Sequence, residues 1–208
     1  MADHDHQPGT TDISRRGFLK GVGAGAVATG LISSTTTRPK AKAQGKGDLQ
    51  GPGEVSISLN VNGKDQKLSV EPRVTLLDAL RNRLDTTGTK KVCDRGTCGA
   101  CSVLVDDKLI YACSMLAIEA QGHKITTVEG LGSPDKMSQV QELFVEHDAL
   151  QCGFCTPGFV VATTAFVREH PNATIEQVRD GLGGNLCRCG TYVGIMEVAM
   201  EAAKKGGA

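Results

Sequence analysis

The first half of the chain alternates. Val55, Ile57, Leu59 and Val61 are apolar at every second position with polar residues between them, the period of a strand with one buried face. Asn62-Gly63 supplies two residues that tolerate positive φ, and 66–70 resumes, so the segment predicts a β-hairpin. Thr75 with Asp78 three residues on predicts a capped short helix carrying Leu76, Leu77, Leu80 and Leu84 at helical spacing. A Gly- and Cys-rich loop fills 88–101. Residues 102–105, the turn Asp106-Asp107 and 109–112 predict a second hairpin, and 124–128 a fifth strand. One helix against a small mixed sheet accounts for all of it.

After Gly132-Ser133-Pro134 the strand period disappears and helix-start signals replace it: Ser138 with Gln141, Thr156-Pro157 as cap and first-turn proline, and Thr174 with Gln177. They predict helices over 138–148, 157–169, 174–181 and 191–205, a four-helix bundle. The fold class is therefore α+β, with a border between the two parts near Gly132.

The start of the chain fits neither pattern. Arg15-Arg16 and Gly17-Phe18-Leu19-Lys20 precede a weakly apolar run over 21–32 and a polar stretch ending Ala41-Lys42-Ala43, the layout of a twin-arginine export signal. Its apolar run is well short of the roughly 20 residues a membrane span needs. We assign 1–43 to a signal peptide, 44–53 to a linker, 54–132 to the first domain and 133–208 to the second. The implied location is the periplasm or another exported compartment, with no membrane span.

Composition narrows the partners. Lys+Arg and Asp+Glu are both 23 among the 208 residues, so no net basic field draws nucleic acid, and five Phe, two Tyr and no Trp leave few stacking surfaces. Eight cysteines are the unusual feature. They divide as Cys93-x4-Cys98-x2-Cys101 with Cys113, and Cys152-x2-Cys155 with Cys187-x-Cys189, four on each side of the domain border. Four thiolates suit a two-iron, two-sulfur (2Fe-2S) cluster, and the x4 and x2 gaps are those of the plant-type ferredoxin loop. Gly96 and Gly99 let that loop curl closely enough to turn N–H groups toward sulfur. Two zinc sites are the competing reading, but Cys187-x-Cys189 is tighter than the usual zinc pair. Disulfides fit poorly with such close spacing, and the twin-arginine route carries proteins that are already folded. His123, His147 and His170 lie at no ligand spacing to a cysteine and read as surface or helix-end residues. Asp94 and Arg95 read as a solvated loop tip or an interface, Arg188 as a structural or partner-facing residue, and Glu129 and the charges over 176–180 as solvated faces or helix starts.

With both loops in view, the chain resembles the iron-sulfur subunit of the xanthine oxidase family of molybdenum hydroxylases, in particular its exported aldehyde oxidoreductase type. The matching stretches are Gly88-Thr89-Lys90-Lys91, Cys93-Asp94, Cys98-Gly99-Ala100-Cys101, Thr126 to Leu131, Gln151 to Gly158, and Gly184-Asn185-Leu186-Cys187-Arg188-Cys189-Gly190. Val92 departs from the family, which has Gly before the first ligand. The resemblance implies an N-terminal plant-ferredoxin-like β-grasp domain and an all-α four-helix-bundle domain, with one 2Fe-2S cluster each. It implies Cys93, Cys98, Cys101 and Cys113 as ligands of one cluster and Cys152, Cys155, Cys187 and Cys189 of the other. It further implies a large catalytic partner holding molybdopterin, reached by Gln151 and Cys189, and an FAD-binding partner or another acceptor beyond the first cluster. Electrons would leave molybdopterin through the helical-domain cluster, then the ferredoxin-domain cluster. A free exported ferredoxin-like carrier and a zinc-stapled scaffold protein are the alternatives.

Overall fold

The computed structural model describes residues 51–206, so the export segment and most of the linker lie outside the described residues. Strand β1 (Val55–Val61) pairs antiparallel with β2 (Lys64–Val70) in a register running from Val55 opposite Val70 to Val61 opposite Lys64. Asn62 and Gly63 turn the chain with φ of 52° and 77°, the left-handed pair a tight hairpin requires. Strands β3 (Ser102–Val105) and β4 (Lys108–Tyr111) form the second hairpin, turned by Asp106 and Asp107 at φ 48° and 64°. Strand β5 (Lys124–Thr126) is parallel to β1 and antiparallel to β3, giving a mixed sheet in the order β2-β1-β5-β3-β4.

Two strands end earlier than their apolar pattern predicts. The chain after β4 tightens into a 3-10 turn, Ala112–Ser114, which carries Cys113. After β5 another such turn, Val128–Gly130, breaks the ladder before Val128. Helix α1 (Leu76–Arg83) lies on one face of the sheet, its start held by the Thr75 hydroxyl accepting from the Asp78 N–H at 3.2 Å. Leu76, Leu77 and Leu80 pack with Leu59, Val70, Val103 and Ile125 in the first core, each worth about 1.5–3 kcal/mol of burial.

The second half is four helices: α2 (Gln139–Glu146), α3 (Thr156–Glu169), α4 (Ile175–Leu182) and α5 (Tyr192–Lys204). Ser138 and Thr174 cap α2 and α4 in reciprocal capping boxes with Gln141 and Gln177. Helix α3 starts one residue before its expected position. Cys155, not Thr156, is the N-cap, and its side chain makes no capping bond; it contacts Cys187 instead. All residues from Gly158 to Val167 are buried, because α3 is covered on one side by α2, α4 and α5 and on the other by the sheet. Leu104, Val161 and Ala165 form that second contact. Strand β3 is consequently buried on both faces, with Val103 and Val105 turned to the α1 side and Leu104 to α3.

The three histidines outside the export segment make structural contacts. His123 meets Asp106 at 2.5 Å, His147 Nε2 meets Glu201 at 2.8 Å, and His170 stacks on Phe166 with ring centres 4.6 Å apart. Among the described residues no helix is long and apolar enough to cross a membrane.

Candidate metal centres

The first cysteine loop runs from the end of α1 to the start of β3. Asp94, Gly96 and Gly99 all adopt positive φ, at 53°, 70° and 67°, and so wind the chain into a cradle. Glycine suits position 96 on two grounds, its φ of 70° and the Ser114 Oγ that a Cβ would meet at 2.6 Å, and the Gly96 N–H points at Cys113 Sγ (3.2 Å). Thr97 N–H points at Cys93 Sγ at 3.5 Å. Lys91 braces the loop from outside, its Nζ lying 2.9 Å from Asp78 on α1 and 3.1 Å from Asp94. Asp94 is thus a paired loop residue, while Arg95 bonds only to the Cys93 carbonyl.

The thiols come together in pairs. Cys93 contacts Cys98, and Cys101 contacts Cys113 with Cys98 nearby. In the helical half Cys152 contacts Cys189, and Cys155 contacts Cys187 with Cys152 nearby. All eight are free thiols. Among the described residues no three His, Cys, Asp or Glu side chains converge on a single metal-ion position. Two neighbouring pairs per quartet match in number and type the donors a dinuclear cluster would need, two protein sulfurs for each iron.

Electrostatics fit an anionic core. Thr97 hydroxyl and backbone bonds bring the Cys93 thiol down to about 6. Burial pushes Cys187 up, but bonds from the Thr191 hydroxyl and backbone outweigh it and leave it at about 7. Burial raises Cys101 and Cys155 to about 12, so these two ionise only when a positive metal core compensates them. Cys155 is the N-cap of α3, and Cys187 and Cys189 precede α5, so two helix N-termini border the second quartet. Their partial positive charge would favour an anionic cluster held there, of formal charge about −2.

The two quartets are neighbours. A cavity of about 430 Å³ is lined by Val92, Cys98 and Ala100 from the first half and by Cys152, Phe154, Cys155, Leu186, Cys187 and Arg188 from the second. Val92 is exposed at its rim. Cys152 and Cys189 are exposed, as is Gln151 beside them, whereas Cys98, Cys101, Cys113 and Cys187 are buried.

Two expectations change. Glu129 is not merely solvated: its carboxylate accepts from the Gly88 N–H at 2.7 Å and the Thr127 hydroxyl at 2.5 Å, tying the loop before Cys93 to the chain after β5. Asn185, read only as part of the second motif, is buried, and its amide donates to the Gly99 carbonyl at 3.0 Å across the domain border. Nothing near either residue in the chain signals a partner 41 or 86 residues away.

Comparison with known proteins gives these quartets a setting. Residues 59–124 match the family described as the 2Fe-2S iron-sulfur cluster binding domain, and residues 127–200 match the 2Fe-2S binding domain family. The chain is 38% identical over 213 residues to the aldehyde oxidoreductase iron-sulfur-binding subunit PaoA of Escherichia coli K12, covering 95% of this chain and 91% of the relative. The chain belongs to the iron-sulfur subunits of the xanthine oxidase family of molybdenum hydroxylases. It is accordingly an electron-transfer subunit with two 2Fe-2S domains, in the α+β arrangement its pattern predicts. The nicotine 6-hydroxylase small subunit of Paenarthrobacter nicotinovorans is 44% identical over 148 residues, covering 71% of this chain and 89% of that subunit. Among solved structures, a chain of quinoline 2-oxidoreductase from Pseudomonas putida 86 superposes with a TM-score of 0.69 at 41% identity, covering 74% of this chain and 99% of that one. The aldehyde oxidoreductase of Desulfovibrio desulfuricans gives 0.68 at 40% identity over 71% of this chain but only 17% of its own.

Proposed function

We propose that Cys93, Cys98, Cys101 and Cys113 hold one 2Fe-2S cluster and Cys152, Cys155, Cys187 and Cys189 the other. We further propose that the chain serves an exported aldehyde-oxidising molybdenum enzyme as its relay subunit. The pairing of all eight thiols into two adjacent quartets carries this reading. When bound, a 2Fe-2S cluster supplies a one-electron acceptor and donor. The rest is done by the chain. Backbone N–H groups of Gly96 and Thr97 and the Thr191 hydroxyl set the charge balance at the sulfurs.

The exposed edge Gln151, Cys152 and Cys189 faces a large partner that binds molybdopterin, with Gln151 and Cys189 as the residues nearest the pterin. Exposed Phe154 and Leu186 line the same cavity as Cys152 and suit an apolar partner surface. The Asp94–Arg95 tip of the first loop faces an FAD-bearing partner. The domain border at Gly132 leaves one quartet on each side. Residues 1–43 direct twin-arginine export to the periplasm.

Electron paramagnetic resonance on the anaerobically reduced protein tests the central part. Two distinct rhombic signals are expected, and a colourless, zinc-containing protein would overturn it. Gel filtration of native extract should show the chain eluting with molybdenum. Arg15→Lys with Arg16→Lys should retain the complex in the cytoplasm; periplasmic activity at the normal level would defeat the export assignment.

A further inference from the structure

We propose that Asn185 and Tyr111 form a latch that fixes the second cysteine quartet against the first, so that both are positioning residues for electron passage between them. The inference rests on the two-cluster reading above. Its basis is a set of contacts confined to one short segment, 184–186, which leads directly into Cys187.

Asn185 is 3% exposed, and its Nδ2 donates to the Gly99 carbonyl at 3.0 Å and lies 3.4 Å from Ser102 Oγ. Ser102 Oγ in turn donates to the same Gly99 carbonyl at 2.7 Å. On one side of Asn185, the Tyr111 hydroxyl donates to the Gly184 carbonyl at 3.0 Å. On the other, the Leu186 N–H donates to the carbonyl of Cys98 at 3.0 Å. Three consecutive residues of the helical half are therefore bonded to the ferredoxin half, at Tyr111, Gly99 and Cys98. Cys98 belongs to one quartet and Cys187 follows Leu186 in the other.

The approach is close enough to exclude side chains. A Cβ on Gly99 would sit 2.5 Å from the Asn185 amide, and one on Gly158 would sit 2.5 Å from the Gly99 carbonyl oxygen. Gly184 is likewise closed by the Tyr111 hydroxyl. Burying an amide costs free energy unless it is bonded, so this amide holds one register rather than a range of them. Electron tunnelling falls exponentially with separation. A clamp at this segment therefore adds to the α3–sheet contact in holding the separation on which the rate between the sites depends, without touching either set of sulfurs.

The test is Asn185→Leu, near in size but unable to bond, made in the full chain and purified as the holo complex. Iron content equal to wild type is expected. The magnetic interaction between the two reduced centres, which varies with the inverse cube of their separation, should lose its wild-type splitting. Exchange of the Leu186 amide hydrogen should quicken by about tenfold or more. Wild-type iron with unchanged splitting and unchanged exchange overturns the latch and leaves the two-cluster reading standing. Wild-type protein without iron overturns that reading itself. Should Asn185→Leu fail to accumulate with its iron, Tyr111→Phe decides, because it removes one hydroxyl. A smaller change in the same two measurements supports the latch, and no change in either refutes it.

Discussion

Gly158→Ala isolates the contact between the halves. Gly158 is in the first turn of α3, and an added Cβ would lie 2.5 Å from the Gly99 carbonyl oxygen and 3.0 Å from the Ala100 Cα. Both obstacles are backbone within the first cysteine loop, so neither can swing aside. Restoring ordinary contact requires a separation of about 0.9 Å between helix and loop. Overpacking of this kind costs about 1–3 kcal/mol, and the better helix propensity of Ala returns about 0.5–1 kcal/mol at most. The net loss is centred on about 1 kcal/mol within a range of about 0–2.5 kcal/mol, or a fall in Tm of roughly 2–4 °C at the centre for a chain of this size. The assay is thermal unfolding followed by far-ultraviolet circular dichroism and by visible cluster absorption, at one scan rate for all proteins. Gly53→Ala is the control, since its Cβ would meet nothing within 4 Å and should change stability by less than about 0.5 kcal/mol. A Tm for Gly158→Ala equal to or above wild type would show that the two halves are not packed this closely.

Three other outcomes follow from the same contacts. Glu129→Ala leaves the Gly88 N–H and the Thr127 hydroxyl without their acceptor, and should cost about 1 kcal/mol in denaturant unfolding; an unchanged midpoint would make that carboxylate a bystander. Thr191→Val removes the hydroxyl 3.2 Å from Cys187 Sγ, and a redox titration should find one site more negative with iron content intact, the other being unmoved. Cys152→Ser should abolish one resonance signal and stop substrate from reducing the remaining centre. Normal reduction there would mean that the order of the relay is wrong.

Much of this architecture is local and was therefore legible in the chain. Asn62-Gly63 and Asp106-Asp107 turn their hairpins with the left-handed backbone their side chains tolerate, and Thr75, Ser138 and Thr174 all accept the expected N–H. The cysteine loops are similarly compact in sequence, apart from Cys113 and the Cys187–Cys189 pair. What could not be read was every contact between the halves. Helix α3 reads as a bundle helix, and only the absence of a polar face between Gly158 and Val167 hints that the sheet covers its other side. Asn185 and Glu129 are polar residues whose partners lie far off in the chain, so a local reading assigns them to solvent or to a motif without a role. The start of α3 also lies one residue earlier than its cap signal predicts. Cys155 takes the cap position with its backbone already helical, at φ −82° and ψ −16°, and its thiol meets Cys187.

The most direct measurement is iron, acid-labile sulfide and zinc per polypeptide in anaerobically matured protein. Two quartets of thiols, each closing on a pair of irons, predict about four iron and four sulfide with negligible zinc. Far less than four of each, or zinc in their place, would contradict the assignment of the eight cysteines.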